Sequence, residues 1–268
     1  NEYKYCLSHM TTALLVVGST IFRFKSLKSS LWYTHIGPST IFKKIILRLG
    51  ANIADKIVTA SDNSFPFNME KVITIGHAIS YNNFFRDTAD GKSKDFLILS
   101  RISIIKNIDE SIQGFLNSSF GETQSITVVG GPLTKEDEVY ENYLKDKYSQ
   151  YPNIKFVGSI PHKDLSSFIG QFGFHINNTA LGSYDKSVLE TMAAGIINFY
   201  TNSDYDKNIP SKYEKVLKFN GTIDDLTKKI HSVDELKSKE LHEIITFSQN
   251  SVKNESLETI HERLTKVI

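Results

Sequence analysis

A single cysteine, Cys6, stands in a chain of 268 residues. That excludes an intramolecular disulfide and any zinc site built on paired cysteines, and it fits a reducing compartment. Long apolar runs are missing as well. The longest, residues 13–22, is interrupted by Gly18, Ser19 and Thr20 and falls short of the roughly 20 residues needed to cross a bilayer. An excess of either charge is absent: 31 basic and 30 acidic residues leave a net charge of +1, so nothing marks a nucleic-acid binder. No Gly-x-Gly-x-x-Gly follows a first strand, which disfavours a dehydrogenase. No carboxylate pair of the glycosidase kind is evident, and there is no internal repeat or low-complexity segment. The opening Asn-Glu-Tyr-Lys-Tyr lacks the basic region of a signal peptide and reads as a chain entered part-way. Asp204-Tyr205-Asp206 has the spacing of a metal-binding Asp-x-Asp but lies beyond the motif region and reads as a solvated turn. No metal and no cofactor are therefore assigned.

What is present is an ordinary globular composition, 40% hydrophobic and 23% charged, long enough for one large or two ordinary domains. Residues 2–24 carry apolar positions suited to a helix, and Trp32, Tyr33 and His35 form a strand-like run. Ile41, Ile45, Ile46 and Leu49 make one face of a helix ending at Gly50. Short strands are expected at 56–59 and 71–75. Residues 81–94 are polar and turn-rich, the best candidate linker. Thereafter strands (96–100, 125–129, 154–157, 174–176, 196–200) alternate with helices (108–116, 136–148, 165–169, 187–194). That is the pattern of a doubly wound α/β domain with a mostly parallel sheet. The tail from Ile223 reads as two or three charged amphipathic helices.

The functional expectation centres on residues 178–195. A loop containing Gly182, Ser183 and Asp185 runs into the helical pattern Val188, Leu189, Met192, Ala193, closed by Gly195. A helix that starts in a small-residue loop presents free amides and the positive end of its dipole, an anion site that phosphate commonly fills. Glu190, about one turn further in, opposes phosphate but suits sugar hydroxyls. Arg101 and Lys106 follow the strand at 96–100, where an open α/β sheet binds its ligands. Two cations and one helix start converging on one sheet edge would hold a diphosphate. Gly130-Gly131 alone could be a turn.

Taken together, four segments resemble the donor-binding half of the retaining glycosyltransferases of family 4, which have the GT-B fold. They are Leu-Ser-Arg-Ile-Ser-Ile-Ile-Lys-Asn-Ile-Asp (99–109), Ile-Thr-Val-Val-Gly-Gly-Pro (126–132), Ile-Lys-Phe-Val-Gly-Ser-Ile-Pro-His (154–162) and Ser-Val-Leu-Glu-Thr-Met-Ala-Ala-Gly (187–195). Residues 56–80 resemble the family's crossover segment. The resemblance implies that Arg101 and Lys106 stabilise the leaving nucleotide diphosphate, and that Glu190 binds the ribose. Backbone amides around Ser187 and Val188 would receive phosphate, Ile160 would lie at the nucleobase, and Gly131 and Ser183 would line the donor site. His35, near the end of an acceptor-domain strand, would line the reaction centre. The expected activity is retaining sugar transfer from a nucleotide-diphosphate sugar to an acceptor that is a glycan or other carbohydrate, a lipid-linked molecule or a small molecule. No metal is required, and no nucleic acid is bound. The expected location is cytoplasmic, peripheral to the inner face of the membrane, the association running through the part of the N-terminal half that this chain would lack. The alternatives are a nucleotide-sugar epimerase of the same fold and a non-catalytic nucleotide-binding or assembly module.

Two departures from the family pattern stand out. The first glutamate of its paired-glutamate motif should lie eight residues before Glu190, where this chain has Gly182. Asp185 or Lys186 is the expected replacement. In addition, residues 1–80 would be only the remnant of an acceptor domain, with 81–268 the donor domain. The chain therefore reads as a C-terminal portion or a reduced form, and as a fragment it would transfer sugar poorly.

Overall fold

The computed structural model describes residues 5–9, 17, 28–34, 37, 40–87 and 93–267. They form two compact units, each built on a parallel sheet.

The first unit holds the described residues up to Ala78, together with Leu181–Tyr184 and the helix that begins at Leu257. Its sheet has the order β1-β2-β3-β4, from β1 (Tyr5–His9), β2 (Lys28–Trp32), β3 (Lys56–Thr59) and β4 (Val72–Thr74), every pairing parallel. The helix expected over 2–24 is thereby corrected at its start: Tyr5–His9 is an edge strand in register with β2, and His9 packs edge-on against Trp32 at 5.5 Å. In the rest of that stretch only Val17 is described, in helical conformation.

Helix α1 (Ile41–Ile53) follows β2, its first turn capped by the Thr40 hydroxyl, which accepts from the Lys43 amide. The face that packs is Leu47, Gly50 and Ala51. This corrects the expected face, since Ile41, Ile45 and Leu49 are 79%, 52% and 52% exposed. Alternation along β3 divides the core. Ile57 lies with Leu31, Leu47, Ala51 and Phe65, while Val58 lies with Ile75 and Ile260 on the other side. Ile260 belongs to the last helix, α10 (Leu257–Val267), whose Leu264 and Val267 cover the same face. Arg263 donates to the Ile75 carbonyl at 2.9 Å, and Lys56 to the Val267 carbonyl at 2.6 Å. The division drawn from sequence was one cut at residue 80. The compact units instead part between Ala78 and Ile79, and α10 returns to the first unit because its apolar stripe fits that sheet.

The second unit opens with a helical turn, α2 (Tyr81–Phe84), whose Tyr81 and Phe84 are buried, so the start of the expected linker is packed. Its sheet has the order β7-β6-β5-β8-β9 and is parallel throughout. The strands are β5 (Phe96–Leu99), β6 (Ile126–Val129), β7 (Ile154–Gly158), β8 (Phe174–Asn177) and β9 (Ile197–Tyr200). β5, β6, β8 and β9 are buried at every residue. Such strands, covered on both faces, read as continuous apolar runs. Phe96 anchors an aromatic core, its ring 4.9 Å from Phe174, 5.0 Å from Phe115 and 5.4 Å from Phe120. Around the sheet run α3 (Ile108–Leu116), α4 (Lys135–Lys147), α5 (His162–Ile169), α6 (Lys186–Ala193), α7 (Ser211–Leu217), α8 (Ile223–Asp234) and α9 (Ser238–Val252). Strand order reverses between β5 and β8, the switch point where doubly wound sheets open a crevice at their carboxyl ends.

Candidate functional site

Loops from three strands are stitched together at that edge of the second sheet. The Ser100 amide donates to Val129, the Ile102 amide to Gly131, and the Gly130 amide to Gly158, at 3.1, 3.0 and 2.9 Å. Gly130 has φ +141°, and a Cβ there would lie 1.8 Å from the Ser100 carbonyl oxygen. Gly130-Gly131 therefore brings the loops after β5 and β6 into backbone contact. Ile160, past the end of β7, is half-buried.

Arg101 is exposed and makes no ion pair among the described residues. Lys106 differs. It closes a short 3-10 turn (Ile104–Lys106), and the next residue, Asn107, takes a left-handed conformation at φ 45°. The Asn107 side chain donates to the Asn178 carbonyl at 3.0 Å, joining this turn to the loop after β8. The Lys106 ammonium then donates to both oxygens of Asp185, at 2.9 and 2.8 Å. Asp185 also accepts from Asn177 Nδ2 at 3.1 Å, and its amide donates to the Tyr205 hydroxyl at 2.5 Å. Burial opposes ionisation of Asp185, but the Lys106 charge and hydrogen bonds from Lys106, Asn177 and Thr179 outweigh it and hold the carboxyl below its ordinary range.

Helix α6 begins immediately after Asp185 and is fixed from beneath. Thr191 donates to Asn198 Oδ1 at 2.8 Å, and the same oxygen accepts from His175 Nδ1 at 2.6 Å. Complete burial pushes His175 down to about 4, so it is neutral here. Among the amides expected to take phosphate, that of Val188 is already turned onto the Asp185 carbonyl at 3.3 Å. Helix geometry leaves those of Lys186 and Ser187 without intrahelical partners. Lys186 is exposed, Ser187 half-buried and Val188 buried. Glu190 is buried, only 6% exposed, and its Oε1 accepts from His162 Nε2 at 3.0 Å. Burial pushes its carboxyl above the ordinary range, against the opposing pull of His162 and Lys186.

Gly182 and Ser183 belong to the first unit. Gly182 has φ +85°, a backbone that disfavours any side chain, and its carbonyl accepts from Ser64 Oγ at 3.4 Å. A glutamate at this position would be strained. The neighbouring Tyr184 is buried and stacks on His77 at 5.9 Å. His35 lies outside the described residues.

Three participants escaped the sequence reading. His162 acts through Glu190, 28 residues on, and Asn177 through Asp185, eight residues on across the loop after β8. Tyr205 sits in the Asp-x-Asp triplet expected to be a solvated turn. Instead Tyr205 is wholly buried beneath the Asp185 loop, and Asp206 is ion-paired with Lys218 at 2.7 Å.

No family model matches the sequence, and no curated protein matches it. Solved structures do match the fold. Anabaena HepE in complex with UDP-glucose superposes with a TM-score of 0.77 at 16% identity, over 97% of this chain and 77% of that one. Sucrose-phosphate synthase from Thermosynechococcus elongatus gives 0.76 at 13% identity, over 99% and 73%. A glycosyltransferase from Rickettsia africae gives 0.74 at 14% identity, over 97% and 76%. The fold is thus the α/β, GT-B type that the sequence segments imply. No helix among the described residues is long and apolar enough to cross a membrane.

Proposed function

We propose that this chain is a retaining glycosyltransferase acting on a nucleotide-diphosphate sugar. One observation carries the reading. At the switch point of the second sheet, a lysine after β5 and the start of α6 meet through a single carboxylate, Asp185, with Glu190 about one turn along. An anion is therefore already held where a diphosphate would sit. That a structure of the same fold, HepE, holds UDP-glucose supports the same ligand class. In this reading Arg101, Lys106 and the amides of Lys186 and Ser187 stabilise charge on the leaving diphosphate as the glycosidic bond breaks. Glu190 accepts the ribose hydroxyls, and the Ile160 and Gly131 loops border the base. A donor phosphate oxygen takes the acceptor proton on the same face, so no protein base and no metal are required. The acceptor is a glycan, a lipid-linked molecule or a small molecule, and the reaction is cytoplasmic.

The test is calorimetry with UDP, GDP and ADP, followed by transfer assays with the matching sugar nucleotides. Glu190→Gln should weaken binding of the preferred nucleotide and leave the fold intact, since an amide keeps only one acceptor oxygen. Unchanged affinity would return Glu190 to a structural role. The second reading, a non-catalytic nucleotide-binding module, has one observation in its favour: Lys106 is already engaged by an internal carboxylate. Binding without turnover on any sugar nucleotide would select it.

A further inference from the structure

Asp185 stands at the N-cap of α6, yet its carboxylate makes no capping hydrogen bond. Aspartate is among the residues best suited to satisfy a helix's own first amides. Here both oxygens are turned to Lys106 and one also to Asn177. The pair is well shielded, with Lys106 and Asp185 side chains 11% and 21% exposed. Each partner is separately tethered: Asp185 through its amide to Tyr205, and the Lys106 turn through Asn107 to Asn178. A carboxylate and a phosphate oxygen are equivalent acceptors for an ammonium. Lys106 therefore cannot give its donors to both at full strength.

We propose that Asp185 is an internal stand-in for the donor phosphate, and that a nucleotide diphosphate binds by displacing this carboxylate from Lys106. The inference rests on the reading of Lys106 as a phosphate ligand. Once displaced, the carboxylate is free to meet a sugar hydroxyl, while the first amides of α6 go to the phosphate. The chain then passes from a latched to an open clamp, and Asp185 sets how much of the intrinsic affinity is realised. A latch closed about nine-tenths of the time lowers apparent affinity about tenfold.

The experiment is a double-mutant cycle on the 268-residue chain, with the dissociation constant of UDP, GDP and ADP measured by calorimetry for wild type, Asp185→Asn, Lys106→Ala and the double variant. Near-ultraviolet circular dichroism verifies the fold, and Asp185→Ser removes the same charge if the asparagine variant does not fold. The expected result is that Asp185→Asn binds the preferred nucleotide about tenfold more tightly, and that the gain vanishes in the Lys106→Ala background. Equal or weaker binding by both charge-removing variants, with Lys106→Ala still impaired, overturns the latch and leaves Lys106 as a phosphate ligand. Unchanged binding in Lys106→Ala overturns the reading of Lys106 itself, and the latch with it.

Discussion

The two sheets are built alike and covered differently. In the second unit four strands are buried at every residue, and an aromatic cluster fills the space beneath them. In the first, β1 and β4 are each only partly covered, and α1 exposes Ile41, Phe42, Ile45 and Leu49. A sheet edge and apolar surface of this kind are ordinarily paired or covered. The unit that carries Lys106, Asp185 and Glu190 is therefore self-sufficient in packing, whereas the described residues of the first retain exposed apolar surface. A ligand clamp needs side chains held by a rigid core, and only the second sheet supplies that in full.

The largest expected effect tests that rigidity. Phe96→Ala removes the ring shared by Phe115, Phe120 and Phe174 and should cost about 3–5 kcal/mol of unfolding free energy. Denaturant titration would measure it, and a loss below about 1 kcal/mol would mean that the second core is looser than its burial indicates.

Next come the two cations. Arg101→Ala and Lys106→Ala should each slow sugar transfer at least about tenfold if both stabilise the leaving diphosphate. Their stabilities should part company. Removing exposed Arg101 leaves the fold unaffected, whereas removing Lys106 strands a shielded carboxylate at a cost of about 1–3 kcal/mol. Equal melting temperatures for the two variants would break this distinction.

Asp185 and Glu190 supply a third and smaller effect, of opposite signs. The folded pKa of Asp185 lies below its ordinary 3.8, so its stabilisation is present above that value and is lost as pH falls through the folded pKa. That of Glu190 lies above its ordinary 4.5, so its contribution is full below that value and is lost as pH rises through the folded pKa. Melting curves from about pH 3 to pH 8 should show Asp185→Asn less sensitive to acid than wild type. Glu190→Gln should melt at or above wild type near neutrality. A Glu190→Gln variant that melts lower there would show that the His162 bond outweighs the burial of the charge.

Much of the second unit was legible because buried parallel strands are continuous apolar runs. Phe-Leu-Ile-Leu and Ile-Thr-Val-Val leave little choice of period, and glycines punctuate them. Tyr5–His9 was not legible, since five residues, three half-buried and two exposed, ahead of a longer apolar stretch are absorbed into a helical pattern. On α1 both flanks are apolar, so the periodicity could not choose between the Leu47–Ala51 side and the Ile41–Ile45–Leu49 side. At the site, Arg101, Lys106 and Glu190 emerged from local spacing after strands and at a helix start. His162, Asn177 and Tyr205 did not, because what each does is set by a partner brought by the fold. The Lys106–Asp185 pair joins residues 79 positions apart. Both had been read as donor ligands, and nothing in their spacing shows that they would bind each other first.

The smallest effect concerns α1. If its outer face is unpartnered, Ile45→Lys and Leu49→Lys should each change stability by no more than about 0.5 kcal/mol. Leu47→Ala, on the packed face, should cost about 2–5 kcal/mol. All three positions lie on one helix already bearing Lys43, Lys44 and Arg48 and no acidic residue, so the added lysines raise an existing charge and break no ion pair. Propensity hardly enters, because lysine is as good a helix former as leucine and better than isoleucine. What is measured is whether the apolar side chains touch anything. Denaturant midpoints at two protein concentrations separate the cases. A loss of about 2 kcal/mol or more at both would mean that the face is covered within the chain. A loss that grows with concentration would mean that a second copy covers it. Either result would remove the contrast between the two sheets.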